Sequence, residues 1–596
     1  MSNAFKHWRP VVLALVSSVM VAAGQAPLPR GHADLILHNA VVWTVDNNSS
    51  SAQAVAIADG KILFVGTNSA ALKLRGPQTQ LINLKGSFVV PGFNDNHVHF
   101  ASAAQFLEFN IMAVSSQSEF IARVKETVAD VPKGEWIVGG FWGAYDQWRP
   151  GSASSRKREP FVPDIGLIEE LTANHPLFIR RFDDGQFAAN SAALRAVGID
   201  PDNPQALGVE FLGSKEGAFK GHMRGQGVAR LFSTAIPRKF SRERRVRQSR
   251  RALAEIARFG VTNISDMSDD LQLEIFRDLH RQGELTARVH FRPGLDRWQE
   301  LSDRQVRVGS GDEWIRLGAV KGHIDGIMGT SSARFFEPYS HDPKNRGRWR
   351  PLMVNEKGDF VEGKFLSYML AADRAGLQLT IHAIGDEANH LLLNYLEELE
   401  KRNGKQDRRF RLVHAQVIAP GDFPRLGKLG VVAEVQPFHL SDDMRWMEER
   451  IGTERCKGAY AFKTIRDSGA ILSFGTDWPG TSASEYPINP MLGLYAAVTR
   501  QTISGEPRSG WFPEERITIG DAIRAYTYNT AYANFEEKIK GSIEPGKLAD
   551  LTVLSRNLLE IPARELLETE VIYTIVNGRI VYRKSKISTA EFPKKR

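Results

Sequence analysis

Both ends of the chain carry short stretches in which apolar and polar residues alternate, a pattern typical of half-buried β-strands. Near the start these stretches are ADLILHNAVVWTVD, AVAIADGKILFVG and TQLINLKGSFVVPGF, and near the end they are GSIEPGKLADLTVLS and VIYTIVNGRIVYR. Asp59-Gly60 and Asn577-Gly578 are two-residue pairs of the kind that close hairpins. We therefore predict one composite β-sandwich, built from residues 33–90 and 541–585.

The middle of the chain alternates apolar strands with helical stretches such as EANHLLLNYLEELEKR, whose leucines recur at helical spacing. The eight candidate strands are SFVVPGFNDNHVH, GVTNISDM, ARVHFRP, IRLGAVKGHIDG, LQLTIHAIGD, FRLVHAQ, GVVAEVQP and AILSFGTDWP. Eight strands that alternate with helices favour an α/β fold, specifically a (β/α)8 TIM barrel over residues 91–540. The first two strands lie too far apart for an ordinary connection, which predicts an inserted α+β cap at about residues 101–250.

Composition excludes several classes of site. The 596 residues are 42% hydrophobic and 24% charged, as in ordinary soluble globular proteins, and the formal charge of +8 is small for this length. Aromatic and basic residues are not interleaved in the manner of a nucleic-acid-binding module, so we expect no nucleic-acid partner. The single cysteine, Cys456, excludes an intrachain disulfide and any cysteine-based metal cluster. A metal ion would have to be held by His, Asp, Glu or a modified Lys.

Residues 1–24 have the pattern of a secretory signal peptide. Lys6 and Arg9 precede an apolar core at 11–21, and Ala22-Ala23-Gly24 supplies the small residues of a cleavage site. The apolar core is too short to cross a bilayer comfortably, so we expect no stable membrane span. The pattern predicts an exported protein, periplasmic or secreted. An uncleaved anchor at the membrane surface is the alternative.

Polar residues close many of the predicted barrel strands, where the active site of such a barrel lies. Each alone has a structural explanation, such as a hydrogen-bonded core histidine or a helix-capping aspartate. Their convergence on one end of one barrel favours a metal site instead. These residues are His97 and His99 on the first strand, Lys321 on the fourth, His382 on the fifth, His414 on the sixth and Asp477 on the eighth. We refer to these six residues as the metal-site cluster.

Four imidazoles and one carboxylate are suitable ligands for Zn²⁺ or a similar divalent ion. They exceed what one tetrahedral catalytic ion uses when a position stays open for water, and a second ion would explain the surplus. Two cations need an anionic bridge, which a carboxylated Lys321 would supply. Lys321 as an ordinary ammonium would repel two ions and support a one-metal site, so both arrangements stay open at this point.

The order His-x-His, Lys, His, His, Asp on a barrel beside a split β-sandwich resembles the amidohydrolase superfamily of metal-dependent hydrolases. More narrowly, the chain resembles the branch that contains N-substituted formamide deformylase. The matching stretches are VVPGFNDNHVH, AVKGHIDGIMG leading into FFEPYSHDP, IHAIGDEAN, RLVHAQ, FGTDWP and GSIEPGKLADLTVL. Two positions depart from the pattern: Gln186 and Val413 stand where relatives often have His and Glu.

The resemblance implies roles for the metal-site cluster. His97 and His99 would hold the more buried of two divalent ions, and His382 and His414 the more exposed one. Lys321 would bridge the ions after carboxylation, and Asp477 would bind the buried ion and act as the acid/base group. The implied activity is hydrolysis of a non-peptide carbon–nitrogen bond, in an N-acyl or N-formyl amine or a cyclic amide, by a metal-activated hydroxide, with Asp477 passing the proton to the leaving nitrogen.

Residues around the cluster carry further expectations. Asp325 or Asp386 would fix the imidazole tautomers. Four residues of the insertion are candidates for the substrate side of the cap, although ordinary structural roles are about equally expected: Trp142, Arg181, Asp184 and Gln186. The expected partner is a small amide-type molecule, and homodimer formation stays open.

Two other functions compete with this prediction. One is a one-metal deaminase or a lyase on the same scaffold, which metal stoichiometry would distinguish. The other is an exported metal-binding or solute-binding protein without turnover. Asp477 argues against the second, because binding alone does not require a proton shuttle.

Overall fold

The computed structural model describes residues 31–46, 48, 50–112, 114–142, 161–181, 185–213, 219–237, 240–361, 363–480 and 487–585. The predicted signal peptide lies outside these ranges, so export stays a prediction. Among the described helices, none combines the length and the apolar character that a membrane crossing requires.

The described part of the chain begins with seven strands and one short helix. These elements are β1 Ala33–His38, β2 Val41–Trp43, β3 Ser51–Ala52, β4 Ala54–Ala58, β5 Lys61–Gly66, α1 Asn68–Leu72, β6 Arg75–Asn83 and β7 Phe88–Pro91. Thr67 caps α1 by accepting a hydrogen bond from the backbone N–H of Ala70. Four of the strands form a sheet in the order β5-β4-β1-β6.

The next region contains one strand of the central fold and a separate sheet. Its elements are β8 Phe93–Val98, α2 Phe100–Glu108, α3 Gln117–Asp130, β9 Ile137–Trp142, β10 Leu177–Arg181, β11 Phe187–Ala189, α4 Ser191–Ala196, β12 Glu210–Gly213, β13 Phe219–Arg224, α5 Gly227–Ser233 and α6 Arg242–Arg258. The separate sheet has the order β12-β13-β11-β10-β9. It falls within the predicted insertion, whose boundaries stay predictions.

Strands and helices then alternate to the end of the central fold. They are β14 Val261–Asp266, α7 Asp270–Arg281, β15 Arg288–Phe291, α8 Trp298–Asp303, β16 Ile315–Arg316, β17 Ala319–His323, α9 Lys364–Arg374, β18 Gln378–Ala383, α10 Asp386–Asn403, β19 Arg411–His414, α11 Phe423–Lys428, β20 Val432–Val435, α12 Pro437–Asp443, α13 Met447–Ile451, α14 Thr453–Cys456, α15 Phe462–Asp467, β21 Ile471–Phe474, α16 Pro490–Thr499, α17 Ile519–Tyr526 and α18 Tyr528–Ala533. Helix α10 covers the leucine-rich stretch that predicted it, and Leu392, Leu396 and Leu399 on its apolar face are buried.

The central strands run parallel in two sheets, with the orders β16-β15-β14-β8 and β17-β18-β19-β20-β21. Every residue of β14, β15, β18, β19 and β20 is buried, as in parallel sheets that helices cover on both faces. Isolated parallel bridges connect the two sheets at both margins, Gly294 with Lys321 and Val98 with Trp478. The predicted α/β class is confirmed.

The last strands return to the start of the chain. They are β22 Leu551–Leu554, β23 Val571–Val576 and β24 Arg579–Arg583. They join early strands in one sheet of order β24-β23-β22-β7-β2-β3, in which Val553 pairs with Val89. Leu37, Val89 and Val553 belong to one buried apolar cluster, so the two ends of the chain share a core.

A buried ion pair connects this shared region to the parallel strands. Arg288 at the start of β15 donates from Nε to Asp550 Oδ2 at 2.6 Å and from Nη2 to Oδ1 at 3.0 Å. The backbone N–H of Asn577 also donates to Asp550 Oδ1, at 2.9 Å. Loss of the carboxylate would leave a guanidinium buried without its charge partner.

We predict that Asp550→Ala lowers the free energy of unfolding by about 3–5 kcal/mol, the typical effect of breaking a buried pair. Urea titration followed by tryptophan fluorescence measures this change. The matched control is Glu126→Ala, which breaks an ion pair with Arg123 whose side chains are 57% and 67% exposed. That variant should lose no more than about 1 kcal/mol. Equal effects of the two variants would contradict the structural role of Asp550.

Candidate active site

The structure brings the metal-site cluster together at the carboxyl ends of the parallel strands. Five members are contributed by β8, β17, β18, β19 and the N-terminus of α2, and Asp477 follows β21 by three residues. The ring of His414 lies 5.0 Å from that of His97 and 4.5 Å from that of His382, between ring centroids. Residues from strands far apart in sequence therefore share one small volume.

The carboxylate of Asp477 is the meeting point of these side chains. Its Oδ1 lies 3.4 Å from His97 Nε2 and 3.2 Å from His99 Nε2, and its Oδ2 lies 3.8 Å from His439 Nε2. Two sets of potential ligand atoms lie within 4.8 Å of one another: His97, His99 and Asp477, and His414, His439 and Asp477. Burial opposes ionisation, but the hydrogen bond from His99 holds the pKa of Asp477 below its usual value. Asp477 is therefore an anion.

Two of the histidines are held neutral by burial. Burial is the main cause that lowers the pKa of His97 and of His414 well below the ordinary imidazole value, and nearby positive charges add to it. His414 Nδ1 donates to Gln436 Oε1 at 2.7 Å, which leaves the Nε2 lone pair of the same ring available to a metal ion. Neutral imidazole is the form that binds metal ions.

Lys321 projects its amine into the same space. The residue is 5% exposed, and its Nζ is buried without a hydrogen-bond partner among the described residues. Burial lowers the pKa of the amine to about 7, and the positive charge of Arg292 contributes to the shift. A buried polar group without a partner is unfavourable. A ligand or a modification that pairs with this amine would therefore stabilise the folded protein.

Asp95 connects the first parallel strand to the chain that carries Asp477. Its Oδ1 accepts from the backbone N–H of His97 and of Thr476, both at 3.0 Å, and its Oδ2 accepts from Thr476 Oγ1 at 2.6 Å. Burial raises the pKa of Asp95 to about 7. The backbone N–H of Asp477 donates to the carbonyl of His97 at 2.8 Å, so both ends of this connection are hydrogen-bonded.

The two predicted tautomer-fixing carboxylates have other partners. Asp325 accepts from the backbone N–H groups of Ile384 and Gly385, at 3.1 and 2.9 Å, and so positions the loop after His382. Its Oδ1 lies 3.4 Å from His382 Nε2, but that nitrogen instead donates to the carbonyl of Gly326 at 3.0 Å. Asp386 accepts from the backbone N–H of Phe336 at 2.9 Å. His382 and His414 have a carbonyl and an amide oxygen as hydrogen-bond partners, and the tautomer-fixing roles of Asp325 and Asp386 stay predictions.

Glu434 is a buried carboxylate beneath the cluster that the sequence analysis did not single out. It accepts from Arg292 Nη1 at 3.0 Å and from Arg411 Nε at 2.6 Å, and its Oε1 lies 4.0 Å from His97 Nδ1. The signal was available in GVVAEVQP, since a charged residue inside an apolar strand requires buried partners of opposite charge. His439 was also missed, because α12 carries it rather than a strand end.

Two cavities lie on either side of Gly480, which follows Asp477 by three residues. One, of about 290 Å³, is lined by all six residues of the metal-site cluster, and we call it the metal cavity. The other, of about 690 Å³, lies against β9, β10 and α5, and we call it the apolar cavity. Gly480 lines both cavities.

The sequence model of an amidohydrolase family matches residues 80–582, most of the chain. The chain belongs to the amidohydrolase family. It is 34% identical to Protein LONG AFTER FAR-RED 3 of Arabidopsis thaliana over 568 residues, 92% of each protein. It is 27% identical to N-substituted formamide deformylase of Arthrobacter pascens over 569 residues, 93% of this chain and 99% of that one. The resemblance that the motifs predicted is confirmed.

A solved structure gives the same result for the fold. An uncharacterized metal-dependent hydrolase from Pyrococcus horikoshii has a TM-score of 0.66 and 26% identity. The match covers 89% of this chain and 99% of that one. The α/β architecture of this amidohydrolase is therefore the one found in a metal-dependent hydrolase.

Of the predicted substrate-side residues of this amidohydrolase, Trp142 requires correction, and the roles of the other three stay predictions. Trp142 is fully buried in the apolar core beneath β9 and lies edge-on to His222, so it does not face the cavity. Arg181 and Gln186 are joined by a backbone hydrogen bond of 2.8 Å. Asp184 lies outside the described residues. The cavity wall instead includes the preceding residues on the same strands, Phe141 and Arg180. Successive side chains of a strand point to opposite faces. The residue next to one that lines the cavity therefore points toward the other face of the sheet.

We predict that Gly475→Ala disrupts the amidohydrolase site without a change in any ligand. An added Cβ would clash with Asn96 Oδ1 and lie 2.6 Å from Asp95 Oδ1 and 2.9 Å from the backbone nitrogen of His97, forcing the first and last parallel strands apart. Bound metal per chain, measured by plasma mass spectrometry, should fall by at least half. Gly421→Ala is the control, because its Cβ would meet nothing within 4 Å. Full metal content in the Gly475 variant would contradict this geometry.

Proposed function

We propose that this amidohydrolase hydrolyses a carbon–nitrogen bond other than a peptide bond, in an N-acyl or N-formyl amine or a cyclic amide. The observation that carries the proposal is the convergence of imidazole nitrogens on the anionic Asp477, beside the buried amine of Lys321, which has no hydrogen-bond partner in the described part of the chain. The deformylase among the relatives acts on N-substituted formamides by name, and this supports an N-formyl amine as one substrate.

The residues present fit two divalent ions, with Zn²⁺ the ion that they suit best. His97, His99 and Asp477 would hold one ion, and His382 and His414 the other. Lys321 would bridge them after carboxylation, in which its amine nitrogen bonds to the carbon of CO₂ and releases one proton. The resulting carbamate is an anion and would satisfy the buried Nζ, for which the described residues supply no hydrogen-bond partner. Bound ions of this kind polarise a carbonyl and lower the pKa of water.

Asp477 is the residue that moves the proton. Its low pKa keeps it ionised and able to accept a proton from the attacking water. Oδ1 faces His97 and His99, so Oδ2, on the side of His439, is the oxygen that would hold the proton. The protonated carboxyl then delivers this proton to the amide nitrogen, which must be protonated before it can leave.

We also propose that the eight strands β8, β14, β15 and β17–β21 close into one (β/α)8 barrel. The two isolated bridges at the margins of the parallel sheets support this closure. A barrel places the carboxyl ends of all eight strands around one opening, which would explain why residues from five of the elements meet there.

The test is hydrolysis of a panel of N-formyl amines, N-acyl amines and cyclic amides by metal-replete protein, with metal counted on the same sample. We expect turnover of at least one class and two ions per chain. Asp477→Asn should lower the rate by about 10²–10⁴-fold, the usual contribution of a positioned acid/base group, while at least one ion remains bound. Absence of turnover in a two-metal protein would contradict the proposal, and one ion with ammonia release would favour the deaminase.

We predict that Lys321→Ala loses one of the two ions together with activity, because no anion then bridges them. Short carboxylic acids such as propionate should restore part of both, since they occupy the place of the carbamate. Metal content and rate are measured with and without the acid. Lys463→Ala, at an exposed lysine paired with Asp467, should behave like the parent protein. Two retained ions in the Lys321 variant without added acid would remove the bridging role.

A further inference from the structure

The apolar cavity is large enough to hold most of a small organic molecule. Its volume of about 690 Å³ lies within the range of ordinary ligand pockets and is more than twice that of the metal cavity, about 290 Å³. Five phenylalanines line it: Phe106, Phe141, Phe178, Phe187 and Phe232. Arg180 is the single charged residue of the described lining.

The aromatic side chains of this lining pack against one another. The ring of Phe178 is stacked with that of Phe187, with centroids 5.7 Å apart and planes 10° apart, and with that of Phe232, at 4.2 Å and 19°. The guanidinium of Arg180 lies over the ring of Phe141, 4.4 Å from its centroid. A lining with five phenylalanines favours an apolar ligand that carries an aromatic ring, because contacts between aromatic rings add to the gain from burial.

A glycine in the strand beside the cavity leaves space where a side chain would otherwise stand. Gly139 lies in the middle of β9 with φ +107°, and a Cβ added there would meet nothing within 4 Å. Glycine inside a strand weakens the sheet and often marks a place where a ligand approaches the backbone closely. The missing side chain therefore contributes space that the rest of the wall does not fill.

Two segments carry the cavity wall directly into the metal site. Helix α2 follows His99, and Ser102 and Phe106, on adjacent turns of α2, line the cavity. On the other side, Pro479 and Gly480 follow Asp477, and Gly480 lines both cavities. Because the two cavities share Gly480, a molecule that occupies both would place its scissile bond at the metal-site cluster and a large substituent in the apolar cavity.

We infer that the apolar cavity is the subsite for a large, flat, apolar substituent, so that the substrates are amides carrying an arylalkyl group rather than small or polar amides. This inference rests on the proposed function for the position of the scissile bond. Binding energy from a substituent far from the reacting bond raises catalytic efficiency, so an amide with only a methyl group should be a poor substrate.

The inference can be tested by binding, without turnover. The probes are 4-phenylbutan-2-one and butan-2-one, ketones in which CH₂ replaces the amide nitrogen, so neither contains a bond that the enzyme can hydrolyse. Titration calorimetry on the metal-replete parent protein should give a Kd at least tenfold lower for the phenyl ketone. Ser233→Trp, at an exposed residue of α5 that lines the cavity, should remove this difference by filling the space.

Thr234→Trp is the matched control, because Thr234 is the next exposed residue and lies outside the cavity lining. It should keep the tenfold preference. Circular dichroism confirms that both variants fold, and Ala229→Trp, on the same wall, replaces Ser233→Trp if the latter does not. Equal Kd values for the two ketones, or a preference unchanged in a folded cavity-filling variant, would overturn the inference. A protein that keeps the preference but hydrolyses no amide would instead overturn the proposed function.

Discussion

The carboxylate of Asp95 joins the first parallel strand to the segment that follows the last one, and the site depends on that connection. It accepts hydrogen bonds from the backbone of His97 and from both the backbone and the hydroxyl of Thr476. These contacts fix Asp477 against the two histidines of the first strand. Gly475 belongs to the same connection, because only a residue without a side chain allows the two segments to approach so closely.

Charge compensation below the site is the second condition of the arrangement. Glu434 lies between Arg292 and Arg411, which come from different strands, and all three side chains are buried. Two guanidinium groups and one carboxylate leave a net positive charge in this group, and together with burial that charge opposes protonation of His97 above it. The backbone also departs from ordinary conformations here, since His414 and Asp477 have φ values of +73° and +59°. Such conformations are unfavourable for residues with a side chain. They occur where a functional site requires a side chain to point in a particular direction.

Much of the site could be predicted from the sequence because a parallel strand places its last polar residue at a known edge. His97, His382 and His414 each end an apolar stretch, and the structure brings their rings together. The composite sheet of both chain ends could be anticipated in the same way, from alternation alone. The confirmed family resemblance rests on these same stretches.

Other features depend on tertiary contacts that no local pattern records. The partners of Asp95 and Glu434 come from distant strands, so the sequence does not show which residues compensate them. His439 lies in α12, which follows β20. A search for polar residues at the ends of strands therefore does not find it. For Trp142 and Arg181 the insertion was predicted, but its strands and the direction of their side chains were not, because β9 and β10 expose one face to a cavity and pack the other against an apolar core.

The central claim is that Lys321 and Asp477 organise two metal ions at one end of the parallel strands. Anomalous diffraction at the zinc edge, on crystals of protein purified without chelator, tests it most directly. We expect two anomalous peaks, one beside His97 and His99 and one beside His382 and His414. Carbamate density on Lys321 should lie between them. A single peak beside Asp477, with an unmodified amine at Lys321, would contradict it.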